Sequence, residues 1–169
     1  MSSPLKVLAI VGSPTTPDQL FMSALGSNRL ADTLGAACGR DVEVSLLSWL
    51  PAADPAQFTA THSLAASDPG PIDRILRRIG MPRIDAVLRR TPPGRLILSL
   101  GPSDPSRVFW RAVQADPQAM ALLAGADVVL AVDLPGVRTA WNALRAQLVE
   151  HAYYGIASTV KVFATRFSQ

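Results

Sequence analysis

The chain has 169 residues, of which 49% are hydrophobic, a length sufficient for one independent core, so we expect a single domain over residues 1–169. Cys38 is the only cysteine, which excludes an intrachain disulfide and a cysteine-based metal site, and His62 and His151 are too few for a histidine metal centre. The net charge is +3, and no apolar run approaches the roughly 18 residues that a membrane span requires, so we expect a cytoplasmic protein, and we expect no nucleic-acid partner.

The first predicted element is an unbroken apolar strand over residues 5–11, which ends at the corner Gly12-Ser13-Pro14. A strand that is covered by helices on both faces shows no polar alternation. The corner that follows it lies at the carboxyl edge of the sheet, where such folds bind ligands. The connection over residues 12–26 is longer than usual, which is typical of a functional or mobile loop.

A β-α-β unit follows. Apolar residues at helical spacing predict a helix over residues 27–37, which Ser27 or Asn28 can cap and Gly39 can end. Alternating apolar residues over 41–47 then predict a second strand nearer the sheet edge.

Residues 51–71 have no sustained period and are predicted to form a surface excursion. Two amphipathic helices are predicted over 72–80 and 83–90, with arginines opposite the apolar stripe. These arginines form either a solvated face or a surface for an acidic partner or an anionic membrane. The residues concerned are Arg74, Arg77, Arg78, Arg89 and Arg90.

The second half of the chain predicts strands over 95–100 and 127–133, with a helix over 106–115 between them and another that opens at Asp116. A further helix is predicted from Pro135 to about Tyr153. The tail over 159–167 fits either a fifth strand or a helix. Three tryptophans are expected to pack in the core, namely Trp49, Trp110 and Trp141.

Strands that alternate with helices at this spacing predict an α/β three-layer sandwich, with a Rossmann-like parallel sheet of four or five strands and helices on both faces. Small or acidic residues follow three of the predicted strands, and parallel strands end at a common edge, so we expect a shared site there. The candidate ligand-binding residues are Gly12, Ser13, Thr15, Thr16, Ser103 and Arg107. Asp104 and Asp133 are candidate catalytic bases, although each could instead cap a helix.

Residues 105–111 (PSRVFWR), 124–133 (AGADVVLAVD) and 137–141 (VRTAW) resemble the N-terminal half of actinobacterial glycosyltransferases that are built from two Rossmann-like domains. In that architecture the N-terminal domain mainly holds the acceptor, and a second domain binds the nucleotide-sugar donor. The resemblance implies an acceptor-binding domain or a half-enzyme that is completed by a donor-binding partner chain or by a second copy. It implies no cofactor.

The segments Val11-Gly12-Ser13-Pro14 and Ser27-Asn28-Arg29 resemble the phosphate loop and first helix of flavodoxin-like NAD(P)H-dependent FMN reductases. That resemblance implies an FMN cofactor whose phosphate contacts Ser13, Thr15, Ser27 and Asn28. The patterns Gly-x-Gly-x-x-Gly and Gly-Lys-Ser/Thr are absent, which disfavours dehydrogenases and nucleoside triphosphatases. A third alternative is a non-catalytic binding subunit that uses the arginine-rich helical face.

Overall fold

The structure is a computed structural model, and it describes residues 3–64, 101 and 104–166. Several predictions lie outside these residues and are not addressed by it. They are the helices over 72–80 and 83–90, the strand over 95–100, Ser103, and Arg74, Arg77, Arg78, Arg89 and Arg90.

The described residues form five strands, six α-helices and one short 3-10 helix over Pro55–Gln57. The strands are β1 (Leu5–Val11), β2 (Val42–Ser48), β3 (Ala60–Ser63), β4 (Val128–Ala131) and β5 (His151–Tyr154). The α-helices are α1 (Pro17–Leu25), α2 (Leu30–Cys38), α3 (Pro105–Ala115), α4 (Pro117–Ala124), α5 (Leu134–Arg145) and α6 (Ile156–Arg166).

The strands form one parallel sheet in the order β3-β2-β1-β4-β5. The central strand is β1, in which Val7 lies opposite Val44 of β2 and Val128 of β4. This arrangement confirms the predicted α/β fold with a Rossmann-like parallel sheet.

Two apolar cores lie on opposite faces of the sheet, and β1 contributes to both. Val7, Ala9 and Val11 pack with α1, α2 and α6, whereas Leu8 and Ile10 pack with α3, α4 and α5. The strand has no solvent-facing side after Lys6, because helices cover both of its faces. This is why its sequence is an unbroken apolar run rather than an alternating one.

The prediction of a surface excursion over 51–71 is wrong for residues 60–63, which form β3. This strand pairs in parallel with β2, with Leu47 opposite His62. Its residues are exposed or half-buried, as expected of a sheet edge, and β2 supplies the backbone partners that hold it extended. Leu64, which follows β3, is fully buried in the core beside α3 and α4.

The helix predicted from Pro135 to about Tyr153 is too long, because α5 ends at Arg145 and β5 begins at His151. Gln147 ends it in the left-handed region with φ of 56°, and the Leu148 amide then donates back to Ala143. The tail, which the sequence left open between strand and helix, is the helix α6 over Ile156–Arg166.

Three further expectations about local structure are wrong. The long connection over 12–26 is not a loop throughout, since it contains α1. Arg29, rather than Ser27 or Asn28, is the residue before α2, and its side chain makes no capping hydrogen bond. Trp141 is 52% exposed on α5, whereas Trp49 packs edge-on against the buried ring of Phe109 at 5.5 Å.

Candidate functional site

The strand order reverses between β1 and β4, so the crevice where open α/β sheets bind ligands is expected at the carboxyl ends of these two strands. The loop over 12–16 follows β1, and Asp133 lies two residues after the end of β4. Hydrogen bonds join the two segments directly. The structure therefore brings together three of the predicted site residues, Gly12, Ser13 and Asp133.

The Asp133 carboxylate is the centre of this contact. Its Oδ1 accepts hydrogen bonds from the backbone amides of Gly12 at 3.0 Å and Gly136 at 2.9 Å. Its Oδ2 accepts one from the amide of Ser13 at 2.8 Å. The same side chain therefore caps α5 and fastens the end of β1 to the segment after β4.

Gly12 is buried, and the start of α5 packs directly on it. A Cβ atom at this position would lie 2.7 Å from both the amide nitrogen of Gly136 and the carbonyl carbon of Pro135. Real Cβ atoms do not approach backbone this closely, so only glycine fits. The backbone of Pro135 and Gly136 closes the floor of the crevice.

Phosphate-binding α/β proteins place an anion against the loop after their first strand, where backbone amides and a helix N-terminus converge on it. Here the amides of Gly12, Ser13 and Gly136 converge on Asp133 instead. A phosphate at this point would have to displace a carboxylate that carries three hydrogen bonds. Thr15 and Thr16, the other two predicted site residues of this loop, are half-buried.

The second candidate base, Asp104, caps α3. Its Oδ1 accepts from the amides of Ser106 at 3.1 Å and Arg107 at 3.2 Å, and also from the Ser106 hydroxyl. Its Oδ2 accepts no hydrogen bond from any residue that the structure describes. No hydrogen bond between described residues links this group to Asp133, and the catalytic assignment of both acids stays a prediction.

Arg107 lies in the first turn of α3, next to the carboxylate of Asp104. Its side chain is half-buried, and the Nε atom is buried without a hydrogen-bond partner among residues 3–64, 101 and 104–166. A guanidinium group has five N–H donors and loses free energy when one of them is buried unpaired. The assignment of Arg107 as a ligand-binding residue stays a prediction.

Asp18 is a residue of this edge that the sequence analysis missed. It lies in the first turn of α1, and its carboxylate accepts from the amides of Ala53 at 2.8 Å and Asp54 at 3.2 Å. These contacts tie the segment after β1 to the segment after β2. Its partners are 35 and 36 residues away, so nothing local in the sequence indicates them.

Burial tends to raise the pKa of Asp18, but the hydrogen bonds from Ala53 and Asp54 outweigh it, and the pKa lies below its ordinary value. A carboxyl whose pKa is lower in the folded state stabilises the fold above its unfolded pKa of about 3.9, and this contribution is lost as pH falls through the folded value. We expect Asp18→Asn to reduce the free energy of unfolding at pH 7, and the deficit to shrink as pH falls below about 4. Urea unfolding from pH 7 to pH 2.5 measures this.

The matched control for Asp18→Asn is Asp32→Asn, which changes an exposed carboxylate in the first turn of α2. It should change the unfolding free energy little at any pH. A deficit for Asp18→Asn that stays constant between pH 7 and pH 2.5 would contradict the role of the charged carboxylate.

A pocket of about 160 Å³ lies beside this edge, between α1, the turn before α2 and the 3-10 helix. Its wall includes the carboxylates of Asp18 and Asp54, the polar side chains of Asn28 and Gln57, and the ring of Phe21. Carboxylates and amides accept and donate hydrogen bonds to hydroxyl groups, while an aromatic ring offers an apolar surface. The pocket is suited to a small hydroxylated molecule.

The four residues that the flavin resemblance assigns to a phosphate do not lie in one place. Ser13 and Thr15 precede α1, whereas Ser27 and Asn28 follow it. A nine-residue helix spans about 13 Å at 1.5 Å per residue, which is too far for one phosphate group to contact both ends. The FMN alternative stays untested, but this geometry does not favour it.

A contact between a histidine and an aspartate, which the sequence did not indicate, lies away from the carboxyl edge of the sheet. His62 Nε2 of β3 is 2.9 Å from Asp116 Oδ2, and Asp116 also caps α4 through the amides of Gln118 and Ala119. Both side chains are largely buried. Among the described residues, no group of three His, Cys, Asp or Glu side chains is placed to hold a metal ion. The pair fastens the edge strand to the corner between α3 and α4.

The described residues define an α/β protein of Rossmann-like topology whose switch-point crevice is filled by its own carboxylate. The chain matches no family model, and no curated protein or solved structure is detectably similar to it. None of the described helices combines the length and the apolar character needed to cross a membrane.

Proposed function

We propose that this protein is an acceptor-binding, glycosyltransferase-like domain, which acts as a half-enzyme with a partner chain that binds the nucleotide-sugar donor. The observation that carries the proposal is the bridging of Gly12, Ser13 and Gly136 by Asp133. With the amides of Gly12, Ser13 and Gly136 engaged by Asp133, none of the three is available to the diphosphate of a donor. An uncharged, hydroxyl-bearing acceptor has no such conflict.

Asp104 is the better of the two candidate bases for such a transfer. A general base must have an oxygen within hydrogen-bond reach of the hydroxyl that it deprotonates. Both oxygens of Asp133 are engaged by backbone amides, whereas Asp104 Oδ2 accepts from no described residue. Arg107, one turn along the same helix, would hold a second acceptor oxygen. Asp133 would then position the loop that carries Thr15 and Thr16 rather than remove a proton.

The pocket beside α1 supports the same ligand class. Its lining combines carboxylate and amide groups with the cation Arg29 and the apolar side chains of Phe21 and Met22, which suits a polyhydroxylated molecule with one apolar face. The pocket runs along α1, from Asp18 in its first turn to the residues that follow its C-terminal end.

An NMR titration of the ¹⁵N-labelled protein tests the proposal, with methyl glucoside, UDP and FMN as separate probes. We expect methyl glucoside to shift backbone amides among residues 13–18 or 104–107. UDP and FMN should leave the amides of Gly12 and Ser13 unchanged, because Asp133 occupies them. The Asp104→Asn variant should keep its sugar-induced shifts, since binding does not need the base.

Two results would overturn this assignment. A yellow preparation, or FMN uptake that shifts Gly12 and Ser13, would favour the flavin alternative instead. A complete lack of response to methyl glucoside at high millimolar concentration would remove the basis for acceptor binding.

A further inference from the structure

The outward face of α5 carries an exposed line of alternating apolar and cationic side chains. Leu134, Arg138, Trp141 and Arg145 follow each other at spacings of four, three and four residues, so they lie on one side of the helix. Leu134 is 71% exposed and Trp141 is 52% exposed, and Leu144 beside them is 39% exposed. The buried residues of α5 lie on the opposite side, namely Gly136, Thr139, Ala140 and Ala143.

The helical layer to which α5 belongs carries more cations than anions. Helix α3 packs on α5, and the two helices together contain four arginines, while the acidic residues beside them, Asp104, Asp116 and Asp133, lie at helix ends, where each caps a helix. These arginines are Arg107, Arg111, Arg138 and Arg145. The Arg145 guanidinium lies 4.7 Å from the centre of the Trp141 ring, which holds cation and aromatic side by side at the surface.

From these observations we infer that the exposed line on α5 lies on the surface of an anionic membrane, with the helix parallel to the bilayer. Arginine stems cover apolar surface while their guanidinium groups reach lipid phosphates. Tryptophan and leucine enter the boundary between headgroups and acyl chains. Apolar and cationic side chains alternate along this line, which suits that boundary because the apolar side chains can enter the acyl region while the arginines contact the headgroups.

A protein partner fits this face less well. Arginine and tryptophan are enriched in protein interfaces as well, but there they border a contiguous apolar anchor from which water is excluded. On α5 the anchors Leu134 and Trp141 are separated by Arg138, and Arg145 follows them. The contact with a bilayer is peripheral, and it depends on charge because two leucines and one tryptophan bury little apolar area.

Co-sedimentation with unilamellar vesicles tests this inference, using phosphatidylcholine alone and phosphatidylcholine mixed with phosphatidylglycerol. We expect binding to the mixed vesicles, at least tenfold weaker binding to the neutral ones, and loss of binding at high salt. Arg138→Glu with Arg145→Glu should weaken binding to the mixed vesicles by at least tenfold. Trp141→Ala alone should weaken it severalfold.

The matched control is Lys161→Glu with Arg166→Glu, which makes the same change in net charge on exposed residues of α6, on the other face of the sheet. It should bind nearly as the parent protein does. Circular dichroism checks that each variant is folded. If the variant with Arg138→Glu and Arg145→Glu does not fold, the variant with Arg138→Gln and Arg145→Gln replaces it in the binding measurement.

Three outcomes overturn the inference. The first is an absence of binding to the mixed vesicles. The second is an equal loss in the α5 and α6 variants, which would show attraction by net charge alone. The third is a change in sedimentation of the lipid-free protein on replacing Trp141, which would make this face a protein interface instead.

Discussion

Replacing Asp133 with alanine is expected to lower the free energy of unfolding by about 3 kcal/mol, because three backbone amides lose a charged acceptor at once. The Gly12 and Gly136 amides lie in a buried contact, so water does not readily replace the carboxylate. Two of the three hydrogen bonds also join segments 120 and 121 residues apart, so the loss extends beyond α5. Urea unfolding at pH 7 measures the change.

Asp104→Ala is the matched control, because the donors to Asp104 among the described residues, Ser106 and Arg107, both belong to its own helix. The loss of such a cap costs about 1 kcal/mol. Asp133→Asn should fall between the two, since a carboxamide keeps one acceptor oxygen but turns an NH₂ group toward an amide donor. Equal costs for Asp133→Ala and Asp104→Ala would contradict the bridging role of Asp133.

The central part of the fold could be predicted because its sequence admits few alternatives. Apart from Lys6, β1 and β4 are apolar throughout, and a strand buried on both faces is the structure that such a run favours when it is short and bounded by a turn. Parallel pairing then places the loops after them at one edge. For this reason the meeting of Gly12, Ser13 and Asp133 followed from the sequence.

The edges of the sheet could not be predicted in the same way. Three of the four residues of β3, Ala60–Ser63, are polar and two are exposed, and the strand owes its extended form to hydrogen bonds from β2. The boundary between α5 and β5 has no glycine that would indicate the end of the helix, because Gln147 adopts the left-handed conformation there. Both features depend on tertiary contacts rather than on local propensity.

The role of Asp133 shows a related limit for the site. An aspartate three residues before Gly136 could be recognised as a helix cap, because that contact is local. Its hydrogen bonds to Gly12 and Ser13 could be predicted only from the strand order, because they join the segments that follow two adjacent strands, β1 and β4. The sequence allows a base or a cap at this position and favours the cap, and the donors to the two oxygens of Asp133 show a cap that also bridges to the loop after β1.

The second large effect is expected at Gly12. Gly12→Ala would place a Cβ atom 2.7 Å from two backbone atoms of Pro135 and Gly136, and neither can move as a flexible side chain could. The end of β1 and the start of α5 must separate, which costs about 3 kcal/mol for an overpacked site of this kind. We expect this loss in urea unfolding, together with faster hydrogen exchange at the amides of Gly12 and Gly136.

Gly125→Ala is the matched control, since the atom nearest to its Cβ would be the Ala121 carbonyl oxygen at 3.3 Å, and it should cost less than about 1 kcal/mol. Separation at Gly12 also stretches the hydrogen bond from its amide to Asp133, so the two sites share one contact. The double variant Gly12→Ala with Asp133→Ala should therefore lose less stability than the sum of the single variants. Strict additivity, or a Gly12→Ala variant as stable as Gly125→Ala, would mean that β1 and α5 do not meet as closely as these distances require.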